Sequence, residues 1–82
     1  MNKYEFKFEA SCPNNSNKDY YHIEMESDSI IQVEDIHRFL SEISKPIYQE
    51  EFTDLLSENF AASITVVGFH QKIKITTKRN QL

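Results

Sequence analysis

The sequence predicts an α+β fold: a four-stranded antiparallel sheet with two helices on one face, in the order ββααββ. Three observations carry this. Period-two alternation of apolar and polar residues recurs at both ends of the chain. The middle switches to helical spacing. Prolines and polar clusters fall between these blocks.

The first strand is the clearest. Tyr4, Phe6, Phe8, Ala10 and Cys12 alternate with Lys3, Glu5, Lys7, Glu9 and Ser11, the pattern of a half-buried strand with Cys12 on the apolar side. Pro13 has no amide proton and ends it. Asn14 to Lys18 is turn chemistry, because Asn and Ser bond their own backbone. Tyr21, Ile23 and Met25 then alternate with Tyr20, His22, Glu24 and Glu26, and a hairpin with the first strand is the simplest pairing.

Ser29 with Gln32 fits a capping box and predicts a helix start there. Val33, Ile36, Phe39, Leu40 and Ile43 follow at helical spacing. Lys45-Pro46 interrupts, since a residue before proline avoids helical geometry. Phe52, Leu55, Leu56 and Phe60 mark the buried face of a second helix, with Glu50 and Glu51 in its first turns and Asn59 as a stop. Ala62, Ile64 and Val66 form the third strand, Gly68 predicts a turn or bulge, and Ile73, Ile75 and Thr77 form the fourth. Residues after Lys78 read as a frayed tail.

At 82 residues the expectation is a single domain, 1-82, with a small core that self-association would enlarge. The formal net charge of −4 argues against general nucleic-acid binding. From Asn59 onward, however, there is no acid, while Lys72, Lys74, Lys78 and Arg79 make a basic last strand. This strand either meets an anionic partner or is simply kept soluble by its lysines. One cysteine makes no intrachain disulfide, the start of the chain reads as no signal peptide, and no apolar run approaches the ~20 residues of a membrane span. A soluble cytoplasmic protein is expected.

Cys12 and Asp19 are the sharpest chemical candidates. They sit at facing ends of two paired strands, where a thiol and a carboxylate serve as nucleophile and proton donor, and Lys18 is near enough in sequence to hold a thiolate. A small buried thiol and a turn aspartate are the plainer readings. Glu50 is suited to pairing with the N–H and amino group of a guanine-like base, or serves only as a helix-start carboxylate; Glu51 shares that plain reading and faces elsewhere. His22, His37 and His70 have no metal-ligand spacing, so no metal is expected. Tyr20, Tyr21, Phe39 and Phe69 are read as core aromatics in preference to base-stacking ones.

Cys12-Pro13, five residues, then Asp19 resembles the catalytic segment of the QueF family, nitrile reductases acting on 7-cyano-7-deazaguanine in queuosine biosynthesis. Phe6-Lys7-Phe8-Glu9-Ala10-Ser11 is similar to the strand leading into it. Val33-Glu34 sits where the family has a valine-glutamate pair. Tyr48-Gln49-Glu50-Glu51 resembles its Phe-His-Glu-Asp segment, and Ile64-Thr65-Val66-Val67-Gly68 with Lys72-Ile73-Lys74-Ile75 its last two strands. The resemblance implies the tunnelling fold and a ring-like homo-oligomer with active sites between subunits. It implies that Cys12 forms a thioimide with the nitrile, that Asp19 shuttles the proton, and that Glu50, Gln49 and Glu34 bind the substrate.

Gln49 stands where the family has histidine. The run that binds NADPH in the reductases reads Glu34-Asp35-Ile36-His37-Arg38 here, without its Ser and Lys. NADPH is thus a candidate cofactor whose motif is unmatched. The related QueF-like amidinotransferases use the same cysteine without NADPH and join ammonia to the nitrile of a modified tRNA base, a partner that the basic last strand suits. The alternative is a non-catalytic small acidic interaction protein, or a purine- or pterin-binding protein of the same fold.

Overall fold

A computed structural model describes residues 1–14 and 17–80. The elements are β1 (Asn2–Ser11), β2 (Lys18–Ser27), α1 (Val33–Ser41), α2 (Gln49–Asn59), β3 (Ser63–His70) and β4 (Ile73–Arg79). The strands form one sheet in the order β1-β2-β3-β4, each antiparallel to its neighbour. Fold class and element order are those that the residue pattern predicts. Neither helix is long and apolar enough to cross a membrane among the described residues.

Register explains why the pattern was so clean. Phe8 pairs with Tyr21, Tyr21 with Gly68, and Gly68 with Ile75, so one row crosses all four strands on the helix-covered face. The next row holds Phe6, Ile23, Val66 and Thr77. Both helices pack on this face. Ile36 of α1 and Phe52 and Leu56 of α2 join Tyr21, Ile23, Met25, Ile64 and Val66 in one core. Phe52 is its hub, fully buried and stacked on Phe8 at 5.1 Å and on Tyr21 at 5.5 Å. Its truncation to alanine would cost ~3–5 kcal/mol.

The other face carries Lys3, Glu5, Lys7 and Glu9 beside His22 and Glu24, and no helix of the described residues covers it. Tyr20 and Phe69 lie on this open face and are exposed, so they are not core residues, whereas Tyr21 and Phe39 join the core cluster.

Three local expectations are corrected. The helix does not begin at Ser29. Its N-cap is Gln32, which makes no side-chain cap bond, and Ser29 instead donates its amide to Ser27 Oγ at 3.1 Å. Glu34 and Asp35 in the first turn serve the helix dipole in place of a cap. Gly68 is neither turn nor bulge but a regular residue of β3. The turn is Gln71-Lys72, both with positive φ (51° and 70°), the geometry of a two-residue hairpin loop. Arg79 is not frayed: it closes β4 opposite Ile64 and its Nε donates to Asp54 Oδ1 at 2.7 Å. Asn15, Ser16, Gln81 and Leu82 lie outside the described residues.

Candidate active site

The end of β1, the start of β2, the first turn of α2 and the β3–β4 end of the sheet surround an open cleft of about 890 Å³. Backbone bonds hold its mouth. Cys12 donates its amide to Asn17 at 2.8 Å, closing the loop that joins β1 and β2. Ile47 donates to the Ser11 carbonyl at 3.1 Å, which ties the segment entering α2 to the residue before the cysteine. The first turn of α2, the positive end of its dipole, therefore lines the same cleft as the thiol.

Cys12, Asp19, Gln49 and Glu50 of one chain all line this cleft. Cys12 is half-buried and unpaired in a disulfide. Asp19 is 8% exposed. Its strand parity turns it inward with Tyr21, whereas Lys18 points to the open face and pairs with Glu9 at 2.9 Å. Glu9 raises the Lys18 amine above its ordinary value through that hydrogen bond and its charge. The charge expected from Lys18 beside the thiol is thus directed to the other side of the sheet. Glu50 is exposed, and Glu51, expected to face elsewhere, also lines the cleft. Glu34 is exposed on α1 and does not line it.

Gln49 is 5% exposed and its amide is engaged at both ends. Nε2 donates toward the Val66 carbonyl (3.1 Å), the Ile75 carbonyl (2.9 Å) and Thr77 Oγ1 (3.1 Å). Oε1 meets His70 Nε2 at 3.0 Å. A residue expected to touch substrate therefore spends its amide inside the protein. Gly68 makes room for it: a Cβ there would sit 2.6 Å from Gln49 Oε1 and 2.8 Å from the Tyr21 ring.

Sequence spacing missed two residues here. His70 lines the cleft and faces Asp19, with Nδ1 3.4 Å from Oδ2. Its signal was strand parity, for it continues the inward series Ile64, Val66, Gly68. Tyr21 is 1% exposed and lines the cleft, and its hydroxyl has no hydrogen-bond partner among the described residues. Burial first, then the charges of Asp19 and Cys12, push this phenol up to about 12. At the rim, Tyr48 donates its hydroxyl to Asn14 Oδ1 at 2.7 Å.

Other chemistry lies elsewhere. On the open face, ligand atoms of Glu5, His22 and Glu24 fall within 4.8 Å of one another, so His22 has the acidic company that its sequence spacing did not predict. In the α1 run at the reductases' NADPH-binding position, Arg38 is paired to Asp35 at 3.0 Å at the surface and Glu34 adds a second negative charge.

No protein-family model matches the sequence, and neither does any curated protein. Among solved structures, the chain is similar to an archaeosine synthase QueF-like protein crystallised in the apo form. The TM-score is 0.80 at 16% identity, over 98% of this chain and 91% of that one. The two chains share the tunnelling fold from end to end.

Proposed function

We propose that this protein processes 7-cyano-7-deazaguanine through a covalent thioimide on Cys12. The observation that carries the reading is a half-buried thiol and a nearly buried carboxylate, Asp19, lining one cleft, with Glu50 exposed in its wall. A nitrile is a weak electrophile, so sulfur attack needs a strong nucleophile and an acid for the nitrogen. Cys12 adds to the nitrile carbon while Asp19 protonates the nitrogen and recovers the thiol proton. Glu50 pairs with the N–H and amino edge of the base.

Of the two fates of the thioimide, we favour ammonia addition. Ammonia adds to the thioimide carbon, the amidine forms, and the Cys12 thiol leaves. Hydride delivery would need a nicotinamide cofactor, and the α1 run offers two carboxylates, Glu34 and Asp35, beside its one guanidinium, which disfavours its phosphates. The base would then be presented on tRNA, with the basic outer edge of β4 as its phosphate contact, and a homo-oligomer would complete the site.

Mass spectrometry tests the reading. Mixing with 7-cyano-7-deazaguanine should add the mass of one intact substrate to the protein and none to Cys12→Ala. An unchanged wild-type mass overturns it. Saturable binding without an adduct would favour a purine-binding protein of the same fold.

A further inference from the structure

We propose that His70 and Asp19 hold one shared proton, fixed in place by Gln49, and that this pair is the acid reserve of the thioimide step. The inference rests on the function proposed above for its use, and on geometry alone for the proton.

The geometry begins at the Gln49 amide. Two of the three groups facing Nε2 are backbone carbonyls, of Val66 and Ile75, which only accept. A flipped amide would set oxygen against both. Nε2 therefore faces the sheet and Oε1 faces His70. Oε1 also only accepts, so His70 Nε2 must carry a proton. That leaves Nδ1 opposite Asp19 Oδ2 at 3.4 Å. A neutral imidazole protonated at Nε2 would present a bare lone pair there, facing a bare carboxylate oxygen. The two repel across 3.4 Å, where Asp19 is 8% exposed. One proton between Nδ1 and Oδ2 removes the conflict, whether it is nearer nitrogen or oxygen.

Gln49 thus acts as a tautomer lock, and it is itself locked. Gly68 admits its oxygen and Thr77 takes a share of its N–H donation. Around the pair stands, from β2, the Tyr21 phenol, whose ring centre is 6.1 Å from that of His70. From α2 come Glu50, Glu51 and Asp54, the last paired with Arg79 of β4, and from the end of β1 Cys12. β4 also contributes Ile75, which is uncharged.

In the reaction the proton count closes. The pair gives its proton through Asp19 to the nitrile nitrogen as the C–S bond forms, and the proton lost by the Cys12 thiol restores it. His70 touches no reacting atom and is a positioning residue.

Two measurements test this. Long-range 1H–15N correlation on 15N-histidine-labelled protein, without substrate, should find His70 protonated at Nε2. It should also find either Nδ1 protonated or, by the 13C shift of its carboxyl, Asp19 protonated. A neutral imidazole carrying its proton at Nδ1, or one protonated at Nε2 beside an ionised Asp19, overturns the inference. The second measurement is the pH profile of adduct formation. His70→Gln, which retains a donor for Gln49, should slow the adduct by ~10²-fold at neutral pH. It should also move the alkaline limb to lower pH. An unchanged limb overturns the catalytic use of the pair. If wild type forms no adduct, the nitrile function fails while the resonance result still decides the proton pair.

Discussion

Gln49 Oε1 occupies the space where a side chain on Gly68 would begin, 2.6 Å from the ideal Cβ position. The glycine is kept out of solvent by a glutamine tip and a tyrosine ring, not by an unusual backbone angle. Gly68→Ala must displace a ring that is 1% exposed and an amide held at both ends. The expected loss is ~1–3 kcal/mol in denaturant unfolding. An unchanged midpoint would mean that the ring and amide yield freely.

Gln49→Leu is expected to cost more than its size change implies. It strips partners from the Val66 and Ile75 carbonyls, Thr77 Oγ1 and His70 Nε2 together. At ~1–3 kcal/mol for each buried group left unpaired, a total loss of at least ~2 kcal/mol is expected by thermal or chemical unfolding.

The Gln71-Lys72 turn carries two side chains at positive φ. Left-handed geometry costs roughly 1–2 kcal/mol per ordinary residue, partly offset in any glycine variant by the entropy glycine loses on folding. Gln71→Asn with Lys72→Gly should raise stability by ~1 kcal/mol and leave adduct formation unaltered. A loss of stability would contradict the hairpin geometry.

Tyr21→Phe should be neutral or stabilising at pH 7, by up to ~1 kcal/mol, since the hydroxyl is buried without a partner. The sign at high pH is defined. The folded phenol titrates at about 12, above the ordinary phenol value of about 10, so the neutral form is favoured in the folded state. Its contribution is complete below the ordinary value and is lost as pH rises through the folded one. Wild type should therefore lose stability between about pH 10 and about pH 12, and Tyr21→Phe should lose less over the same interval.

The sequence was most legible where one periodicity ruled. The alternation from Tyr4 to Cys12 and from Ile64 to Val66 identified the inward face, and the hairpin expected of the first two strands is present. It failed where one residue type has several uses. Gly68 is a common turn residue, but here it serves a close approach, while the true turn lacks the Asn-Gly that would announce it. Ser29 had a capping partner at the right spacing, yet Ser27 Oγ took its amide first. Cys12 and Asp19 were legible as a pair because strand pairing carries both to one end of the sheet. His70 was not, since its partner Asp19 lies one strand earlier, beyond both helices, and only register brings them together. Gln49 was legible as a site position, but its direction depends on carbonyls from β3 and β4 that no local spacing encodes.

Ile75 belongs to two surfaces at once. Its side chain helps wall the cleft, and its strand is a free margin of the sheet. Any strand that hydrogen-bonds to that margin would stand next to whatever occupies the cleft. Occupancy and edge pairing then become linked equilibria: a ligand that favours the paired state tightens the assembly, and the assembly tightens the ligand by the same factor.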